Sequence, residues 1–259
     1  MAIALAKNND IIKKLIRNIK NNDQEGYTIV DDLFALSIAL ENNEISDFFY
    51  SSDYDYRPEA LELLNKIVKK ANNIYTISNK TMEQIMLKNN SSHMIAVVKL
   101  PIVKLDSLKN KKFILIADGI EIPGNLGTIF RTIDATGCEA IISINSVTKL
   151  NNTNLVHSSR GMNLLIPQIE TTYEQCLKFV LENEFTTYLG EPELGLSYDE
   201  IEYEDKLAIV VGSERYGITP DWYNHPNRKV YIPMYGKMGS LNVGVAASIL
   251  LYQIKQQKK

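Results

Sequence analysis

The chain has 259 residues, 45% hydrophobic and 23% charged, with a formal net charge of −3. That is an ordinary globular composition with material for one large domain or two, and its balance is not that of a generally basic polyanion binder. No apolar run reaches the roughly eighteen residues of a membrane span, and the apolar start, Ala2 to Ala6, is short for a signal peptide, so a cytoplasmic location is expected. Cys138 and Cys176 stand far apart and read as core thiols, and His93, His157 and His225 form no cluster, so no metal is expected.

From the amino terminus, Ile11, Ile12, Leu15, Ile16 and Ile19 recur at helical spacing over residues 8–22, with Lys13, Lys14, Arg17 and Lys20 on the other face. A strand (27–30), a helix with an acidic start (31–40), a strand (45–50), a helix opened by Pro58 (58–71), a strand (74–77), a helix (80–87) and a strand (93–98) follow. This alternation argues for a small α/β domain. Residues 99–112, with Pro101 and the basic Lys109, Lys111 and Lys112, read as a linker. Either basic group could contact nucleic acid or be a solvated face.

A second α/β series begins with the apolar strand 113–117 and continues with a helix (126–136) closed by Gly137 and a strand (140–144). After a segment at 156–163 come a helix (173–183), a strand (186–189) and the continuous apolar strand 207–211. Such runs belong in a parallel sheet covered on both faces. The chain closes with a short strand stopped by Pro233, a loop with Gly236 and Gly239, and a helix capped by Ser240. That helix is apolar on nearly every side and is expected to be buried all round.

Ligands bind open parallel sheets beyond the carboxyl ends of the strands, and three such junctions carry polar residues. In the first, Asp118 to Arg131, Asn125 is placed to cap the next helix and Arg131 lies two turns in, opposite Ile129 and Ile133. A cap, and a surface arginine near Asp134, account for both without a site. The glycines here fit neither a dinucleotide fingerprint nor a phosphate loop. In the second, Val211-Gly212-Ser213-Glu214-Arg-Tyr-Gly217-Ile-Thr219-Pro220, Glu214 is either a capping or ion-pair residue or a functional acid. The third holds Ser240 and Asn242 ahead of the last helix.

Together, Asn125-Leu-Gly127-Thr-Ile-Phe-Arg131, Gly212-Ser-Glu214-Arg-Tyr-Gly217, and Ile232-Pro-Met followed by Ser240-Leu-Asn242-Val-Gly-Val-Ala resemble three ordered motifs. They are those of the SpoU (TrmH-like) branch of SPOUT RNA methyltransferases, and the resemblance covers residues 113–254. Ser159-Arg160-Gly161, Gly212-Ser-Glu214 and Ile-Val-Asp31-Asp32 are similar to the thiostrepton-resistance type, which methylates a ribose 2′-OH of an adenosine in large-subunit ribosomal RNA.

The resemblance implies an α/β fold in two parts. Residues 1–105 would be a ribosomal-protein-like RNA substrate-binding domain, and residues 106–259 a SPOUT methyltransferase domain with a parallel sheet and a deep trefoil knot. It also implies S-adenosyl-L-methionine as cofactor, a homodimer that shares its active site, and an RNA substrate, 23S rRNA before tRNA. A non-catalytic RNA-binding or assembly protein on the same fold is the alternative from another class. Asn125, Arg131, Glu214, Ser240 and Asn242 take the catalytic and supporting roles; Leu189, Gly190, Gly212, Ile232, Met234 and Leu241 hold the cofactor; Arg131 and Arg160 meet the RNA. A guanidinium stays protonated in proteins, so holding a phosphate and orienting the ribose suits Arg131 better than acting as a base.

Overall fold

The computed structural model describes residues 2–22, 24–86 and 92–258. In chain order the elements are β1 (Ile3–Ala4), α1 (Asp10–Asn21), β2 (Tyr27–Val30), α2 (Leu33–Asn42), β3 (Ile45–Ser51), α3 (Pro58–Lys70), β4 (Asn73–Ile77), α4 (Asn79–Ile85) and β5 (Met94–Lys99). Then come β6 (Phe113–Asp118), α5 (Pro123–Thr136), β7 (Ala140–Ile144), α6 (Thr153–Ser159), β8 (Gln168–Thr171), α7 (Tyr173–Glu182), β9 (Thr186–Glu191), β10 (Leu196–Ser197), β11 (Leu207–Gly212), β12 (Arg228–Tyr231) and α8 (Val243–Gln257), with short 3-10 turns between some of them. Leu87, the last residue of the helix expected over 80–87, lies outside the described residues.

Two compact units result: Met1–Pro101 with Asn151–Leu165, and Ile102–Leu150 with Ile166–Lys259. The first unit holds a five-stranded sheet of order β1-β4-β3-β5-β2, in which β5 runs antiparallel to both its neighbours. The sequence predicts a single break after residue 105, whereas here residues 151–165 group with the amino-terminal unit. The reason is apolar burial. Val156 and Leu164 are buried in one core cluster with Val30, Leu36, Ile38 and Phe48.

Polar contacts fix the same segment. Asn151 Nδ2 donates to the carbonyls of Asn22 and Gln24 at 2.9 and 3.0 Å, and Asn43 Nδ2 donates to that of Leu164 at 2.8 Å. Ser159 Oγ donates to Asn163 Oδ1 at 2.9 Å inside the core. Gly161 adopts φ +80°, and a Cβ there would lie 3.1 Å from the Ala35 backbone, so a larger residue would be both strained and crowded. The Ser-Arg-Gly run thus has a packing role in this unit.

The second unit is built on a seven-stranded sheet of order β10-β12-β9-β11-β6-β7-β8, with every pairing parallel. Its central strands are buried on both faces: Ile114 and Ile116 join the cluster with Phe179, Val210 and Trp222, while the alternate Leu115, Ala117 and Ile209 are equally inaccessible. Pro123 opens α5 and Gly137, at φ 69°, ends it. Cys138 and Cys176 are free and buried; burial pushes the Cys138 thiol up to about 12 and raises that of Cys176 as well.

The last helix departs from expectation on one face. Val243, Gly244, Ala247, Leu250, Leu251 and Ile254 are buried, but Val245 and Tyr252 remain 45% and 49% exposed, with Ile249 partly exposed between them. A single chain covers only one side of this helix. Among the described residues no helix is long and apolar enough to cross a membrane.

In the first unit His157 Nε2 lies 2.9 Å from Oδ1 of Asp31, which is 1% exposed. The Asp31 carboxylate raises the His157 pKa, outweighing burial, which lowers it. A histidine raised in the folded state contributes stability that is complete below its unfolded value of about 6.5 and lost as pH climbs through the folded value. The stability advantage of wild type over His157→Gln, read from urea midpoints, should therefore shrink as pH rises above about 6.5. An advantage that is flat or grows over that range contradicts the pairing.

Candidate active site

Three loops leave the carboxyl ends of β6, β11 and β12 in the parallel sheet of the second unit, and local chemistry shapes each. At the end of β6 the Asp118 carboxylate, 2% exposed, accepts from the Thr219 N–H at 2.7 Å, from Thr219 Oγ1 at 3.0 Å and from Asn145 Nδ2 at 2.9 Å. This buried acid ties the loops after β6, β7 and β11 together, and its polar partners offset the cost of burial. After β11, Ser213 and Gly217 exchange two backbone hydrogen bonds at 3.0 and 2.9 Å, and the Tyr216 N–H donates to Ser213 Oγ at 3.0 Å. The result is a tight turn that holds Glu214 and Arg215 outward.

The third loop ends at Asn242, which is the cap of α8: its Oδ1 accepts from the Gly244 and Val245 N–H groups at 3.0 and 3.4 Å. Ser240, the cap expected from sequence, lies two residues earlier, exposed and facing a cavity. The helix begins at Val243 because Asn242 supplies the acceptor at the right offset. Asn125 is likewise not a cap; α5 starts at Pro123, and Asn125 sits in its first turn.

The Asn242 amide nitrogen donates to Asn125 Oδ1 at 3.0 Å and to Glu214 Oε1 at 2.6 Å. The Val243 N–H reaches the same Glu214 oxygen at 3.4 Å. One amide thus spends both donors and both acceptor positions, and it joins all three motifs.

Beside this node lies a cavity of about 220 Å³ at the carboxyl ends of β9, β11 and β12 and the start of α8. Five of the residues expected to hold a cofactor, Gly190, Gly212, Ile232, Met234 and Leu241, line it, together with Glu214 and Ser240. Strand alternation turns the Leu189 side chain into the core cluster with Val210 and Ile116, fully buried, so only its main chain is on offer to a cofactor. The next residues, Gly190 and Glu191, reach the cavity instead. Glu191 and Asp118 are not among the residues expected from sequence; the signal each carries is an acid at the last position of a strand, after an apolar run in the case of Asp118.

Arg131 is exposed on α5, and among the described residues it makes no ion pair with Asp134 or any other acid. Its charge is uncommitted. Arg160 belongs to the first unit, as the left-handed residue ending α6, with its guanidinium 5.8 Å from the Phe34 ring centroid. Of the candidate basic groups, Lys13, Lys109 and Lys111 pair with Asp10, Asp106 and Glu139. No grouping of His, Cys, Asp and Glu able to hold a metal occurs among the described residues.

An open parallel sheet with a cavity and a polar node at its carboxyl edge is an α/β architecture of the kind that binds ligands beyond its strand ends. Residues 112–252 match the SpoU rRNA Methylase family, and the chain belongs to it. The 23S rRNA (guanosine(2553)-2′-O)-methyltransferase RlmP of Bacillus subtilis is 28% identical over 181 residues, 70% of this chain and 72% of its own. An AdoMet-bound rRNA methyltransferase from Sinorhizobium meliloti shares the fold with a TM-score of 0.85 at 21% identity, over 98% of both chains. The SpoU methyltransferase AviRb from Streptomyces viridochromogenes, in complex with AdoMet, has a TM-score of 0.85 at 21% identity, over 95% of this chain and 97% of that one.

The node makes a separable prediction. Asn242→Asp keeps the helix cap but replaces two donors with acceptors facing Glu214 and Asn125, and should destabilise by about 1–3 kcal/mol in urea denaturation. Adding Glu214→Gln restores a donor opposite the new carboxylate and should recover part of that loss. Strictly additive losses in the double variant contradict the direct pairing.

Proposed function

We propose that this protein transfers a methyl group from S-adenosylmethionine to a ribose 2′-hydroxyl of RNA, with 23S rRNA as substrate. The observation that carries the proposal is the convergence of Asn125 and Glu214 on the Asn242 amide, at the rim of a cavity lined by five of the six residues expected at a cofactor site.

The cavity suits the cofactor class. Ile232, Met234 and Leu241 offer apolar surface to a flat heterocycle, the glycines at 190 and 212 leave main-chain groups accessible, and two glutamates suit a cationic ligand. S-adenosylmethionine, when bound, supplies an electrophilic methyl group on a sulfonium. The chain's own task is positioning, because a ribose hydroxyl is a weak nucleophile that must be aligned and relieved of a proton. Arg131, exposed and unpaired, holds an RNA phosphate beside the reacting ribose. The Asn242 amide fixes Glu214 and Asn125 around the hydroxyl, and Ser240 borders the cavity where donor and ribose meet.

The first unit serves as the RNA-gripping domain in this reading, with Arg160 on its surface as a backbone contact. The exposed stripe Val245, Ile249 and Tyr252 on α8 is proposed to face a second copy in a homodimer. The deep trefoil knot of SPOUT domains and a cytoplasmic location belong to the same proposal. The choice of 23S rRNA follows from the similarity to RlmP.

Arg131→Ala should lower methyl transfer to RNA by at least about 10²-fold, with cofactor affinity and melting temperature close to wild type. Radiolabel transfer together with calorimetric cofactor titration checks this. Normal turnover in the variant removes Arg131 from the site.

A further inference from the structure

The cavity beside the node has a one-sided charge. Among the described residues, the charged ones that line it are Glu191 and Glu214, with no lysine, arginine or histidine. Glu214 is held by Asn242. Glu191 sits at the carboxyl end of β9, where the Tyr223 hydroxyl donates to its Oε1. Burial and the neighbouring Glu191 carboxylate push the Tyr223 phenol up, so it stays protonated and available as that donor. The Lys229 ammonium lies 5.0 Å from the centroid of the Tyr223 ring and is not among the residues that line the cavity.

Resting on the reading of this cavity as the S-adenosylmethionine site, we propose that Glu191 is a specificity-determining residue by which the cavity reads the cofactor's charge and favours the methyl donor over its demethylated product. The donor carries a sulfonium, an ammonium and a carboxylate, for a net charge of +1. The product, S-adenosylhomocysteine, has a neutral thioether in place of the sulfonium and a net charge of zero. The two are almost the same in shape, so apolar walls and main-chain contacts bind them alike. A pair of carboxylates in a partly water-excluded cavity does not, because a charge difference is felt more strongly there than in bulk water. This favours exit of the product after each turnover.

Glu191 isolates the effect from the catalytic node, since it makes no contact with Asn242, Asn125 or Glu214 among the described hydrogen bonds. Glu191→Gln removes the charge and retains an oxygen to accept from Tyr223. Calorimetric titration of the full-length protein with S-adenosylmethionine and, separately, S-adenosylhomocysteine gives the test. Wild type should bind the donor about tenfold more tightly than the product, and Glu191→Gln should weaken donor binding severalfold while changing product binding less than about twofold. Equal weakening of both ligands would mean a merely structural role and overturn the proposal, as would no change in either. Failure of wild type to bind either ligand would instead remove the cofactor reading itself, and the charge proposal with it.

Discussion

The site depends on one side-chain amide. Asn242 caps α8 with its oxygen and bridges Asn125 and Glu214 with its nitrogen, so it sets where the last helix starts and where two other loops point. A neutral hydrogen bond adds roughly 1 kcal/mol net and one to a charged group about 1.5–3; the larger consequence is geometric, because one side chain holds the helix start and both partner residues in a single arrangement. The bridge is reachable only because α5 and α8 pack closely. Thr132 Oγ1 and Ser248 Oγ are 2.7 Å apart across that contact. A Cβ on Gly244 would stand 3.0 Å from Thr128 Cβ and 3.2 Å from the Asn125 carbonyl oxygen, so the small residue is what lets the node close.

From there the architecture of the site follows. A parallel sheet gathers its strand ends on one edge, and the order β12-β9-β11-β6 puts the ends of four strands distant in sequence side by side. Apolar burial of β6 and β11 on both faces fixes that edge, and Asp118 locks the loops above it. The cavity and the polar node are therefore neighbours by topology. Membership of the SpoU rRNA methylase family is consistent with a rigid scaffold that leaves the chemistry to loop residues.

Much of this was legible in the residues. The long apolar strands at 113–118 and 207–212 and the amphipathic helices announced themselves by period, and the ordered motifs pointed to Asn125, Glu214 and Asn242 before their contacts were known. The strands that escaped notice, β1, β8 and β10, all lie at sheet edges, are short, and carry little apolar pattern to detect. The grouping of residues 151–165 with the first unit was hidden because it rests on Val156, Leu164 and long-range amide contacts rather than on local pattern. The cap was misplaced by two residues because Ser240 and Asn242 are both good caps, and only the path of the chain decides between them. The Leu189 side chain faces the core and not the cavity, because a one-residue step along a strand reverses the face a side chain sees; the contact expected of it is one of main-chain groups.

The central claim, that this node and cavity methylate the ribose of large-subunit RNA, is tested most directly by mapping the product. Purified protein with labelled S-adenosylmethionine would be offered 23S rRNA fragments and tRNA separately, and the digested nucleosides identified by mass. The account predicts label on a single 2′-O-methylated nucleoside from the rRNA fragments and none from tRNA. Label on a base, on tRNA alone, or on neither RNA would contradict it.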